Sequence, residues 1–191
     1  MESILIGDLN WCNKDFKTLK FCNGDNIPQA KTTVDWIEAS KQHSPCLFII
    51  DDTYYYNHFV LNDRRGIAPE GYSIPNKTQW IDLINFLDSQ FGPGNNIPGR
   101  YLSSKKGDTN IGFNIKWDGR IGDHNNITYN YKKDHNEIVL YKDKQAFFWA
   151  QNKNLSKDFA CAFWIDKKSK ITDIDNSYPL GCGNLIRLIK N

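Results

Sequence analysis

Ala68 to Leu87 reads APEGYSIPNKTQWIDLINFL: a turn, a capped start and one amphipathic helix. Asn76 is a good N-cap, Gln79 stands three residues on as in a capping box, and Pro75 is placed to pack against Trp80 as a hydrophobic staple. Trp80, Leu83, Ile84 and Leu87 then recur at helical spacing, and Gly92-Pro93-Gly94 stops the chain soon after. The pattern predicts one dominant helix over about 76–90. Nearly everything else reads as short antiparallel strands and polar loops, so the expected class is α+β, with a sheet packed on this helix.

Upstream, Ile4 to Trp11 reads as a strand broken at Gly7-Asp8, and Phe16 to Phe21 as a second apolar patch ending in the turn Asn23-Gly24-Asp25; two short strands or a bent hairpin fit. Thr33 is placed to cap a brief helix through Val34, Trp36 and Ile37. Cys46 to Ile50 is strand-like, and Tyr54 to Leu61 suits a strand or a buried loop beneath the main helix. Downstream, positions 92–136 are rich in Gly, Asn and Asp and read as a long irregular insertion, crossed by a strand through Phe113, Ile115, Trp117 and Ile121. Four strands follow at Glu137–Tyr141, Ala146–Ala150, Phe159–Ile165 and Leu185–Ile189. Asp173, Asp175, Asn176 and Ser177 read as a turn, and Gly181-Cys182-Gly183 as a tight bend or a close backbone approach.

A length of 191 residues suits a single domain, 1–191, with a substantial core. Aromatic residues make up 14%, so they must fill that core or line a binding surface. The net charge is only +2 and the basic residues are scattered, which leaves no patch for nucleic acid. No apolar run is long enough for membrane insertion, and the start MESILIGDLNW lacks the basic n-region of a secretory leader. The compartment stays open between the cytoplasm, a virion or other particle released without a leader, and export with the leader trimmed. Five cysteines without a C-x-x-C pair indicate buried thiols rather than a disulfide framework or a zinc site.

Several phrases, in order, resemble the FISUMP family, the Fibrobacter-type major paralogous domain of bacterial surface proteins. They are Trp11, then Phe21-Cys22-Asn23-Gly24-Asp25-Asn26-Ile27-Pro28, Trp36, and Tyr55-Tyr56-Asn57-His58-Phe59. Pro69-Glu70-Gly71-Tyr72-Ser73-Ile74-Pro75 through Trp80 follows, then Gly112-Phe113-Asn114, Gly119-Arg120, Phe148-Trp149-Ala150 and Gly183 to Arg187. Departures from the family phrases are Tyr72 for Trp, His58-Phe59 for a Trp-centred ending and Ala150 for Ser. The resemblance implies a C-type-lectin-like fold, in which the N- and C-terminal strands pair and a long irregular region carries binding.

The chemistry legible in the residues is sparse. His43, His58, His124 and His135 are scattered, and none stands at helical i, i+4 spacing with another ligand. Cys182, between glycines, has no base or helix start beside it in sequence, so neither catalysis nor a metal or other cofactor is expected. The resemblance also implies no calcium site: the Glu-Pro-Asn and Trp-Asn-Asp phrases of calcium-dependent lectins are missing, and Asp118, Asp123 and Asp134 read as turn formers. Trp117, Arg120, His124, Tyr129 and Tyr131 combine flat apolar faces with donors, a set suited to stacking on a sugar ring or docking a protein. The plain alternative makes Trp117 core and Tyr129 with Tyr131 a strand face. The expected function is a non-catalytic binding or adhesion module for a cell-surface glycan or protein, as part of a phage or extracellular particle. The competing reading is a structural subunit that assembles as a homo-oligomer or on a larger scaffold, with no small ligand.

Overall fold

A computed structural model of the chain describes residues 1–92, 94, 96–104, 107–125, 138–151 and 158–191. The first half runs β1 (Ser3–Ile6), β2 (Leu9–Cys12), β3 (Gln29–Ala30), α1 (Thr33–Lys41), β4 (Leu47–Ile50), β5 (Thr53–Asn57), α2 (His58–Leu61), β6 (Tyr72–Ser73) and α3 (Lys77–Phe91). The second half runs α4 (Ile97–Ser103), β7 (Arg120–Ile121), β8 (Val139–Leu140), β9 (Gln145–Ala150), β10 (Phe159–Asp166), β11 (Thr172–Pro179), β12 (Gly183–Asn184) and β13 (Ile189–Lys190). The class is mixed α+β, dominated by sheets with few helices.

The stretch read first does what its chemistry dictates. Asn76 Oδ1 accepts the Gln79 N–H at 2.9 Å and Gln79 Oε1 accepts the Asn76 N–H at 2.8 Å, closing the capping box. The helix ends at Gly92, whose φ of 94° suits a residue without Cβ. Trp80, Leu83 and Leu87 are buried along one face. Trp80 lies flat on Phe163 of β10, with ring centroids 4.3 Å apart and planes 5° from parallel, and it also meets the rings of Trp11, Phe113 and Phe148. The aromatic share is therefore mainly core: Trp11, Trp36, Trp80 and Trp149 are all fully buried.

Three sheets surround this helix. One has the order β1-β2-β13-β6, one β11-β10-β9, and one β3-β4-β5-β12-β7-β8, in which only β3 and β4 run parallel. Ile189 pairs with Trp11 and Lys190 with Asn10, so the two ends of the chain meet in one sheet. The strand expected over Leu185–Ile189 is instead a seam between two short strands. β12 lies in the six-stranded sheet, Leu185 exchanges backbone hydrogen bonds with Phe147 and Trp149 of β9, Leu188 accepts from Cys12, and β13 lies in the first sheet. One extended segment thus touches all three sheets.

Four further expectations need correction. Phe16 to Phe21 is not a strand; both rings are buried, but the segment has a single β-bridge, Lys20 to Asn26. Phe113 and Ile115 are buried in alternation, yet Asn114 takes φ 55° and breaks the strand, leaving only β7. The irregular insertion contains α4, announced by Pro98 in its first turn. Asp173 to Ser177 is strand, not turn: β11 is an outer strand whose Asp173 and Asp175 protect its open edge. The first helix starts one residue early, with Thr32 as its N-cap and Asp35 completing a capping box. Four of the five thiols are buried, Cys22 is exposed, and all five are free.

Two predictions follow from this packing. Asn76→Ala removes the cap of the helix that carries Trp80 and should cost about 1 kcal/mol, a fall of roughly 2–4 °C in Tm by calorimetry. His58 is fully buried, edge-on to Trp149, and burial pushes its imidazole down to about 4. The folded state keeps it neutral while the unfolded chain takes up a proton near the ordinary value. Its contribution is therefore present above about pH 6.5 and lost as the pH falls toward about 4, a change of a few kcal/mol at most. Denaturant titrations across that range should show the decline, and His58→Gln should flatten it.

Candidate functional site

The bend expected at Gly181-Cys182-Gly183 is the point where the sheets, the first helix and part of the insertion converge. β11 ends at Pro179, the Cys182 N–H donates to the Pro179 carbonyl at 3.0 Å, and the His58 N–H donates to the Leu180 carbonyl at 2.9 Å. Gly183 then pairs with Asn57 on one side and Ile121 on the other. Both glycines are required by close approach. A Cβ on Gly181 would lie 1.9 Å from Ser40 Oγ, and one on Gly183 would lie 2.9 Å from the Trp36 ring. Helix α1 therefore sits directly on the bend, with Trp36 and Ser40 as its contact face.

Arg120 and His124 flank this bend. Arg120 Nη1 lies 2.9 Å from Cys182 Sγ, and its guanidinium faces the rings of Tyr178, Phe147 and Tyr141 at 5.2, 5.5 and 5.8 Å. Its Nε is buried without a partner among the described residues. Burial pushes the Cys182 thiol up to about 11, against the pull of the Arg120 charge. Near neutral pH it is a protonated thiol inside the protein. Arg120 thus acts as an inner wall of the bend.

His124 lies on the outer side. Its Nδ1 is 3.0 Å from Ser40 Oγ, and its N–H donates to the same hydroxyl at 3.4 Å. Here a small cleft of about 210 Å³ opens between α1, the residues after β7 and the start of β10. Part of the lining is aromatic: His43 stacks on Phe59 with centroids 5.2 Å apart, and Phe159 stands 45% exposed. Part is polar: Asp123 accepts from Asn125 Nδ2 at 3.3 Å, and Asp158 also lines the cleft. Among the described residues, no group of three or more His, Cys, Asp or Glu side chains could hold a metal ion.

The structure does not gather all the residues singled out by sequence. Trp117 is partly buried against the core, with the Lys170 ammonium 5.2 Å from its ring centroid and its carbonyl accepting the Asp143 N–H. It does not line the cleft. Asp118 is engaged by the Thr53 hydroxyl at 2.8 Å. Tyr129, Tyr131, Asp134 and His135 lie outside the described residues. Conversely, His43, Phe59, Asp158 and Phe159 join the cleft from three separate segments. Of the residues singled out by sequence His124 lines the cleft, and the glycines at 181 and 183 marked the close approach beside it.

The close approach at Gly181 has a direct test. Gly181→Ala should destabilise the fold by about 1–3 kcal/mol through overpacking. Adding Ser40→Gly should recover part of that loss despite the cost of about 1 kcal/mol for glycine in a helix. A double-mutant cycle by urea unfolding reads the coupling.

The family model described as the Fibrobacter succinogenes major domain (Fib_succ_major) matches residues 4–190. The chain belongs to that family. No curated protein and no solved structure matches it.

Proposed function

We propose that this member of the Fibrobacter succinogenes major domain family is a non-catalytic binding module on a C-type-lectin-like fold, and that its cleft beside Gly181 takes the end of a surface glycan. The observation that carries the reading is the composition of the cleft. An exposed Phe159 ring and the His43–Phe59 stack share the lining with Asp123, Asn125 and Asp158. Sugar rings offer apolar C–H faces to aromatic side chains and hydroxyls to carboxylates and amides, so this mixed lining suits both surfaces of one ring. A volume of about 210 Å³ is small for a drug-sized ligand, which favours a terminal sugar over an enclosed oligosaccharide. The paired terminal strands support the fold assignment, because they are what the resemblance implies. The inert Cys182 is consistent with a non-catalytic role.

A second reading, an assembly subunit, is favoured by β1. This strand lies at the open edge of its sheet and bears Leu5 at 69% exposure, with no charged residue among Ser3–Ile6 to protect it.

A glycan array probed with the purified chain tests the first reading. Binding should fall at least about tenfold, or about 1.4 kcal/mol, in Phe159→Ala and Asn125→Ala, while a folded Trp117→Ala retains it. No glycan bound by the parent chain, or binding unchanged in Phe159→Ala, overturns it. In sedimentation velocity, a discrete oligomer dispersed by Leu5→Lys would instead establish the assembly subunit.

A further inference from the structure

A second concavity shares no lining residue with the cleft. It is a groove of about 680 Å³ along the turn that follows β2, closed on the other side by the segment around Asn114 and Lys116. Its volume falls within the range of small-molecule sites. The floor is apolar, built from Met1, Cys12 and Phe16 together with the aliphatic stems of the lysines at its rim.

The charges around this floor are unequally committed. Asp15 lines the groove but is only 10% exposed and is held by Arg187 Nη2 at 2.6 Å. Glu2 accepts from Asn13 at 3.1 Å and lies 3.9 Å from Lys14. Lys17 is bound to Asp52 at 2.6 Å. Lys116 makes no ion pair among the described residues. Behind the wall stands Arg187, fully buried, bonded to the carbonyl of the groove residue Cys12 and to Asp15, with its Nε unpartnered. Asp15 and Arg187 thus cancel each other's charge, and Glu2 stands at the exposed end of the groove beside Asn13 and Lys14.

We propose that this groove is a binding site for a small amphiphilic anion, a carboxylate on an apolar body. The apolar body lies on Cys12 and Phe16, and the carboxylate takes the charge of Lys116 at the rim. A neutral apolar compound would gain nothing from the Lys116 charge, and a small hydrophilic anion would leave the apolar floor wet; an amphiphile uses both.

Titration calorimetry of the full chain with decanoate below its micelle concentration provides the test, with acetate and 1-decanol as parallel arms. The expected result is saturable binding of one equivalent of decanoate. Lys116→Glu should weaken it at least about fivefold and Lys116→Arg should preserve it to within about twofold, as a reversed and a retained charge require. Acetate should show no saturable heat, 1-decanol should bind more weakly than decanoate, and Phe159→Ala should leave decanoate binding intact. No saturable decanoate binding, indifference to Lys116→Glu, or equal binding of 1-decanol overturns the proposal. Lys116 is exposed and bears no packing load, so circular dichroism of the variant separates lost binding from lost fold.

Discussion

The fold depends on the burial of Arg187. This guanidinium is fully buried, donates to the carbonyls of Cys12 and Phe113, pairs with Asp15, and lies 4.5 and 5.3 Å from the ring centroids of Phe113 and Phe148. A cation in that position is tolerated only because its partners are in place; a buried charge that loses its counter-ion costs about 3–5 kcal/mol. The partners come from the turn after β2, from the insertion and from β9, so the charge can be satisfied only when these three segments are assembled. Arg187 is also the centre of the seam that runs from β12 to β13 through all three sheets. Trp11, Trp80, Phe113 and Phe148 fill the space beside it as one group of tilted and edge-on rings.

Both concavities follow from that seam. Its N-terminal end begins in the Gly181–Gly183 bend, where missing Cβ atoms let α1 close down on the backbone and leave the cleft at its outer face. Its C-terminal end passes the turn after β2, where Arg187 holds Asp15 and Cys12 and so fixes the floor of the groove. Each concavity is therefore a by-product of how a buried segment is satisfied. Rigid support of this kind suits a binding module, because little has to be ordered when the ligand arrives.

What was legible in the sequence was local. Asn76 with Gln79 and the spacing of Trp80, Leu83 and Leu87 specify α3 without help from the rest of the chain, and the runs at Leu47–Ile50, Ala146–Ala150 and Phe159–Ile165 were readable for the same reason. What failed depended on neighbours. The polar run at Asp173–Ser177 becomes a strand because Trp164, Phe163 and Ala162 pair with it from β10. Phe113 and Ile115 have strand spacing, but Asn114 adopts a positive φ that no period-two pattern announces. Likewise, the paired glycines at 181 and 183 signalled a close approach, whereas Phe59, Asp158 and Phe159 reach the cleft only through tertiary packing. His124, singled out as a donor in the insertion, lines the cleft, whereas Trp117, singled out as a flat apolar face, packs toward Lys170.

The most direct measurement is a two-dimensional amide NMR titration of the labelled chain with a panel of monosaccharides found at glycan ends. The account predicts saturable shifts at Ser40, His124, Asn125, Phe159 and Gly181, with the groove residues Asn13 and Lys116 unmoved. Shifts confined to Trp117 and its neighbours, or spread without focus over the chain, would contradict a binding site at the glycine bend.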